Sequence, residues 1–379
     1  MNVLNIGLVS TDMLYFAVGY FKLDGGAMFT ASHNPKEWNG VKFCKENAKP
    51  FGEAEGMFTL KEIIEKGDFL ESDVKGYLEE KDIYKDFADY VLRFIDIKAL
   101  KPLKVIIDAG NGMAGKMIPE VFKSLPFQVT PMYFEIDGSF PNHEPNPAEE
   151  DNLKNLKEKV IKKKADLGLA FDGDADRVIF VDEKGEQISP SLIAALIADY
   201  ILGKNPKEII VYDVRSDKII PVVLNKHKAI GIRSKVGHAN IKEVMRENNA
   251  AFGCELSGHY YYRDNFYADS GIITSLLVLH LLSKDGRKIS RLVNSYRVFY
   301  ESGEINTKFA RAEELIRKMK DRYKKGKQDF LDGLTCDFGD WWFNLRTSNT
   351  EPAIRLNVKA KNKELLKEKT LELLKFIRT

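Results

Sequence analysis

Cysteine is scarce in these 379 residues: Cys44, Cys254 and Cys336 stand far apart, and no C-x-x-C occurs. A disulfide framework and a cysteine zinc site are thereby excluded, and reduced thiols in a cytoplasmic protein are expected. Long apolar runs are missing too. Stretches such as "LIAALIADYI" and "SLLVLHLL" fall short of the about 18 residues that a membrane span needs. The N-terminus, "MNVLNIGLVST", has no basic region or small-residue cleavage site of a signal peptide. Neither sign of charge dominates. A formal net charge of +2 from 58 basic and 56 acidic residues gives no reason to expect nucleic acid or a membrane as partner. The lysine clusters at 162–164 and at Lys324, Lys325 and Lys327 fall on or after helical patterns and read as solvated faces. No nucleotide P-loop of the form G-x-x-x-x-G-K is expected anywhere in the chain, and no G-x-S-x-G surrounds Ser32.

What is there is an ordinary globular composition, 44% hydrophobic and 30% charged, in a chain long enough for two to four domains. Short β-rich runs alternate with helical patterns for roughly the first 300 residues. Strands are expected at 4–9, 27–31, 40–44, 127–134, 167–171, 208–214, 229–236 and 250–256, and "LKVIIDAGNG" enters a Gly/Asn loop. A hairpin is expected over 177–188, and Pro190 opens the helix "SLIAALIADYIL". Alternating strands and helices imply parallel sheets with right-handed crossovers. From about residue 298 consecutive strands flanked by helices indicate a separate α+β domain. Repeated α/β units suggest internal duplication.

The strongest single motif is "FDGDADRVIF", with Asp172, Asp174 and Asp176 at alternate positions between two strands. Three carboxylates that close repel one another, and a cation is the natural compensation. An all-oxygen donor set selects Mg²⁺ or Ca²⁺ over zinc. An EF-hand is excluded, although Glu183 falls at loop position twelve, because Arg177 stands where that loop needs glycine. An exposed acidic turn is the bland alternative, and the apolar flanks argue against it.

Three other polar loops stand out. "GCELSGHYYY" carries Glu255, Ser257 and His259, which strand alternation would put on one face, a pairing suited to sugar hydroxyls. "VYDVRSD" and "SKVGHAN" add Arg215, Lys235 and His238 near strand ends. "LRTSNTEPAIRL" gathers Arg346, Thr347, Ser348, Asn349 and Thr350, a donor-rich loop of the kind that binds phosphate without a metal. Alone, "GCELSGHYYY" is compatible with an ordinary turn and Arg215, Lys235 and His238 with surface residues, whereas a plain hairpin turn would not need as many donors as "LRTSNTEPAIRL" holds. "FTASHNPKEWNGVKF" holds Ser32, His33 and Lys42. Adjacent side chains in an extended segment point apart, so His33 is not expected to serve Ser32 as base. A phosphate-carrying serine fits better, with Lys42 as acid/base.

Taken in chain order ("TASHNP" with "NGVK", "DGDADR", "GCELSGH" and "RTSNTEP"), the four loops resemble the α-D-phosphohexomutase family across the whole chain. The resemblance implies three similar α/β mixed-sheet domains plus a C-terminal α+β domain around a central cleft. The expected divisions are 1–85 (serine loop), 86–186 (metal loop), 187–297 (sugar loop) and 298–379 (phosphate loop). It implies reversible exchange between hexose 1-phosphate and hexose 6-phosphate, with Mg²⁺ as cofactor and hexose 1,6-bisphosphate as activator. Ser32 matches the phosphorylated serine, and Asp172, Asp174 and Asp176 the Mg²⁺ ligands, with a phosphoserine oxygen as another. Arg177, His33 and Lys42 match residues near the phosphoserine. Glu255, Ser257 and His259 fall in the sugar-binding loop; Arg346, Ser348, Asn349 and Thr350 match the distal phosphate clamp; Arg215 and His238 match auxiliary contacts. The expected partner is a small phosphosugar, and the expected state a monomer or weak dimer. Leu256 stands where phosphoglucosamine mutases carry glutamine, which favours mannose and glucose phosphates over the amino sugar. Two departures accompany the resemblance. Asp12 stands where proline is common, and the chain begins at a strand that family members reach several dozen residues later. An incomplete first sheet with exposed apolar surface is therefore expected, and with it the alternative of a catalytically impaired phosphosugar-binding remnant.

Overall fold

The computed structural model describes residues 1–52, 56–309, 311–347 and 353–378. Its two middle units repeat one design. In the second, Lys104–Asp108, apolar at Val105, Ile106 and Ile107, forms a central strand flanked in parallel by Gln128–Met132 and Leu167–Phe171. Val178–Val181 and Gln187–Ile188 then continue the sheet antiparallel. In the third, Ile209–Asp213 is the central strand, flanked in parallel by Ile230–Ser234 and Phe252–Cys254. Tyr260–Tyr262 and Ala268–Asp269 follow antiparallel. The duplication suggested by the sequence is thus present as one strand order used twice.

The fourth unit is an antiparallel sheet in the order Tyr300–Lys308, Ala353–Ala360, Trp341–Thr347, Leu334–Asp337, Lys327–Asp329, packed with the helices Ala312–Arg322 and Lys363–Ile377. The first unit is slighter. It pairs Val3–Asn5 with Leu78–Glu80, and builds a three-stranded sheet from Gly25–Phe29, Val41–Lys45 and Lys49–Pro50.

Several expectations are corrected. The strand expected over 4–9 ends at Asn5, because Gly7 adopts a left-handed φ of 69° and donates its amide to the Asn5 side chain at 3.0 Å. Gln187–Ile188 pairs with Val178–Val181, so the second sheet runs past the expected division at 186/187. Of the two apolar stretches, "SLLVLHLL" lies in a 15-residue core helix, Gly271–Asp285. No helix among the described residues is long and apolar enough to cross a membrane.

One apolar core runs through the first three units, joining Met13 and Phe16 to Phe87, Ile107, Phe171, Leu192 and Ile273. The fourth unit has its own core around Phe343, Leu356 and Leu373. The first unit exposes apolar side chains: Phe58, Ile64, Leu70, Tyr77 and Leu78 face solvent, and the helix Phe58–Lys66 buries none of its residues. Amide exchange should therefore be fast across Phe58–Lys66 and slow across Gly271–Asp285, by several orders of magnitude, in a hydrogen-exchange experiment.

The departure at Asp12 has a structural partner. The helix Thr11–Tyr20 begins against the third unit, where the fully buried Asp12 carboxyl accepts from Ser270 Oγ at 2.8 Å and from Ser10 Oγ. Burial pushes its pKa up to about 7, against the lowering effect of the two serines. A carboxyl raised in the folded state favours folding most at low pH. That contribution declines as pH rises from about 4 to about 7. Relative to Asp12→Asn, the wild type should lose at most about 1.4 kcal/mol per pH unit across that window in denaturant titrations.

Candidate active site

The serine loop joins the antiparallel strands Gly25–Phe29 and Val41–Lys45 and is closed by Thr30 N–H donating to Gly40 O at 3.0 Å. Ser32 sits in the left-handed region, φ 54°, with its amide donating to Thr30 Oγ1 at 2.9 Å. That turn overturns the expectation that Ser32 and His33 point apart, since His33 Nδ1 lies 3.3 Å from Ser32 Oγ. Partial desolvation, then the charges of Arg177 and His259, hold the His33 pKa below the ordinary imidazole value, so the ring is neutral at neutral pH. Ser32 Oγ also donates to Asp172 Oδ2 at 3.1 Å. The backbones touch as well: a Cβ on Gly173 would come within 2.4 Å of Ser32 O.

The acidic loop follows strand Leu167–Phe171 and brings donor atoms of Asp172, Asp174 and Asp176 within 4.8 Å of one another, all buried. Asp172 is held by the Arg177 side chain, Nε to Oδ2 at 2.8 Å, and by the Arg177 amide at 3.1 Å. Asp174 Oδ2 accepts from Thr11 Oγ1 at 2.7 Å, Thr30 Oγ1 at 3.2 Å and Lys42 Nζ at 2.8 Å. The same ammonium donates to Asp176 Oδ2 at 2.7 Å. Burial and then the charge of Asp176 push Asp172 up to about 7, against Arg177. Asp176 is held well below the usual carboxylate range: burial opposes its charge, but Lys42, His259 and Arg177 outweigh it. Burial likewise works against the charge on Lys42, yet Asp174 and Asp176 raise its pKa well above the ordinary lysine value.

The residues fit a hard divalent cation. Oδ1 of Asp174 and Oδ1 of Asp176 are buried without a hydrogen-bond partner among the described residues, a state that costs about 1–3 kcal/mol per group unless something binds there. Oxygen donors of this kind suit Mg²⁺.

The sugar-loop residues converge through a tight turn, and strand alternation has no part in it. Glu255 N–H donates to His259 O at 3.0 Å around Gly258, φ 91°. Ser257 Oγ lies 3.0 Å from His259 Nδ1, and His259 Nε2 lies 3.5 Å from Asp176 Oδ1, so the ring links this turn to the acidic loop. Glu255 is buried, accepting from Gly237 N–H at 2.8 Å and Tyr261 O–H at 2.5 Å. His238 opens the helix His238–Glu247, next to that Gly237 contact, and Lys235 is exposed.

Arg215 lies deeper than expected of a strand-end contact, buried and bonded through Nε to Asp213 at 2.9 Å. Arg346 is buried at the end of strand Trp341–Thr347, and Ser348, Asn349 and Thr350 lie outside the described residues. Sequence reasoning missed Thr11 and Thr30, which hold Asp174, and Glu304, which accepts from Arg346 Nη2 at 2.8 Å. It also passed over Gly110–Lys116, which spells G-x-x-x-x-G-K before Met117. This segment makes no phosphate cradle. Gly112 packs on Gly173 and Gly115 on Phe134, while Lys116 lies over the Tyr84 ring.

Sequence models of known families match the chain part by part. The phosphoglucomutase/phosphomannomutase alpha/beta/alpha domains I, II and III match 1–71, 85–185 and 189–299, and the C-terminal domain matches 304–374. A phosphomannomutase of Vibrio cholerae is 38% identical over 388 aligned residues, covering 100% of this chain and 84% of that protein. The chain belongs to the phosphoglucomutase/phosphomannomutase family. As a member of this mutase family it is an enzyme, an intramolecular phosphotransferase of the isomerase class. A phosphomannomutase of Escherichia coli K12 is 38% identical over 371 residues, covering 95% of this chain and 81% of that protein. Among solved structures, a family protein of Burkholderia thailandensis superposes with a TM-score of 0.89 at 28% identity, covering 100% of this chain and 83% of that one.

Within this mutase, Asp176→Asn should weaken Mg²⁺ binding by about tenfold or more, since one of three carboxylate donors is lost. Titration calorimetry of both proteins checks it.

Proposed function

We propose that this mutase interconverts hexose 1-phosphate and hexose 6-phosphate, with mannose and glucose phosphates as substrates, through a phosphorylated Ser32 and a hexose 1,6-bisphosphate. The observation that carries this is the contact of Ser32 Oγ with Asp172 at 3.1 Å, beside the acidic loop that also holds Lys42. Ser32 thus stands against buried carboxylates. It can carry a phosphoryl group once the local negative charge is neutralised.

Asp172, Asp174 and Asp176 would hold Mg²⁺, which neutralises charge on the transferring group. Lys42 is protonated at neutral pH; as the P–Oγ bond breaks and a sugar hydroxyl takes the phosphoryl group, Lys42 gives a proton to Ser32 Oγ and recovers one from that hydroxyl. In the return step neutral His33, 3.3 Å from that oxygen, takes up the Oγ proton, the departing sugar oxygen takes a proton from Lys42, and exchange with solvent restores both side chains. Arg177 steadies Asp172 so that its lone pairs stay aimed at the serine. Glu255 and Ser257 read sugar hydroxyls, His259 holds that turn against the acidic loop, and His238 adds an auxiliary contact. Arg346, with Ser348, Asn349, Thr350 and Arg215, receives the phosphate at the far end. Turning the bisphosphate over lets either phosphate meet Ser32, and added hexose 1,6-bisphosphate maintains the phosphorylated enzyme.

The test is incubation with mannose 1-phosphate, Mg²⁺ and a trace of hexose 1,6-bisphosphate. Mannose 6-phosphate should accumulate, and Ser32→Ala should lower the rate by about a thousandfold or more, as expected when the group-carrying residue is lost. Release of inorganic phosphate in place of the isomer, or an active Ser32→Ala, would sink the proposal.

A further inference from the structure

At the seam between the third and fourth units one carboxylate faces three guanidiniums. Glu304 lies on strand Tyr300–Lys308, just past an irregularity where the register against Ala353–Ala360 shifts between Glu301 and Glu304. Its Oε2 accepts from Arg346 Nη2 at 2.8 Å, Arg215 Nη1 at 3.1 Å and Asn357 Nδ2 at 3.4 Å. Its Oε1 accepts from Arg355 Nη1 at 3.2 Å. Arg215 belongs to the third unit and Arg346 to the fourth, and each is 4% exposed or less. Two buried guanidiniums brought to one place repel unless an anion sits between them. Glu304 is that anion. Burial opposes its charge, but Arg215, Arg346 and Arg355 hold it at about 2, so it is ionised across the physiological range.

The grip on Arg346 is also one-sided. Glu304 takes Nη2, whereas Arg346 Nε is buried with no hydrogen-bond partner among the described residues. A guanidinium fixed at one end and unsatisfied at the other presents its free edge to a second acceptor.

We propose that Glu304 is a positioning residue for the far phosphate of the substrate. By bridging Arg215 and Arg346 it docks the fourth unit on the third and orients Arg346 toward a sugar phosphate. This rests on the reading of Arg346 as a phosphate contact. The rest of the seam does not need Glu304 to assemble. Lys218 meets Asp337 at 2.5 Å, Arg233 meets Asp329 at 3.0 Å, Val236 N–H donates to Asp332 at 2.8 Å, and Ser191 Oγ donates to Glu301 at 3.3 Å. Loss of the Glu304 charge should therefore show in phosphate affinity before it shows in folding.

Glu304→Gln keeps the shape and removes the charge. It should raise KM for mannose 1-phosphate by about tenfold or more while kcat stays within about threefold, the pattern of a lost binding contribution. Asp329→Asn, which removes the seam ion pair with Arg233 and leaves the Glu304 contacts intact, should leave KM unchanged. In parallel, calorimetry with inorganic phosphate, without divalent ion and in a Ser32→Ala background, should show weaker binding for Glu304→Gln. An unchanged or lowered KM and phosphate dissociation constant, or an equal effect from Asp329→Asn, overturns the inference. If Glu304→Gln does not fold by thermal unfolding, Glu304→Asp, which keeps the charge at shorter reach, carries the same comparison. If the wild type turns over no hexose phosphate, the functional reading fails, and the phosphate calorimetry still decides the role of Glu304.

Discussion

Three carboxylates forced together out of water are the constraint on which this molecule turns. Asp172, Asp174 and Asp176 cannot all stay charged in a buried loop unless cations come to them. The chain sends Arg177 from the same loop and Lys42 from another unit, and adds hydroxyls from Thr11, Thr30 and Ser32. Four of these five partners come from the first unit. Its serine loop is therefore pinned to the second unit by the same charge that makes the site chemically useful. The two Oδ1 atoms left over mark how much compensation is still owed.

Topology explains why the other parts arrive where they do. The acidic loop and the sugar turn both connect the third strand of a repeated sheet to its antiparallel fourth. The serine loop likewise joins two antiparallel strands. Equivalent connections end up facing one another, and His259 spans the gap between two of them. A repeated unit thus supplies distinct chemistry by varying one short connection, with the sheet beneath it unchanged.

The sequence disclosed the site better than it disclosed the local geometry. Asp172, Asp174 and Asp176 were legible because no core tolerates such spacing without a cation. Ser32 became legible only beside them. The relation of Ser32 to His33 was misjudged because a left-handed residue in the turn reverses the extended-chain rule, and nothing in "TASHNP" announces that φ. Glu255, Ser257 and His259 were grouped correctly for the wrong reason, a turn doing what alternation was expected to do. Glu304 was invisible. Its partners lie 42 to 89 positions away, and only strand register and the seam between units bring them together.

The two kinds of junction in this molecule answer differently to the medium. The first three units share an apolar core, whereas the fourth has its own and meets the third largely through ion pairs. Dissolved salt shields partly exposed ion pairs and leaves apolar contact intact or strengthened. Ionic strength therefore acts on this enzyme as a selective solvent. It loosens the attachment of the part that carries Arg346 while the part that carries Ser32 stays welded to its neighbours.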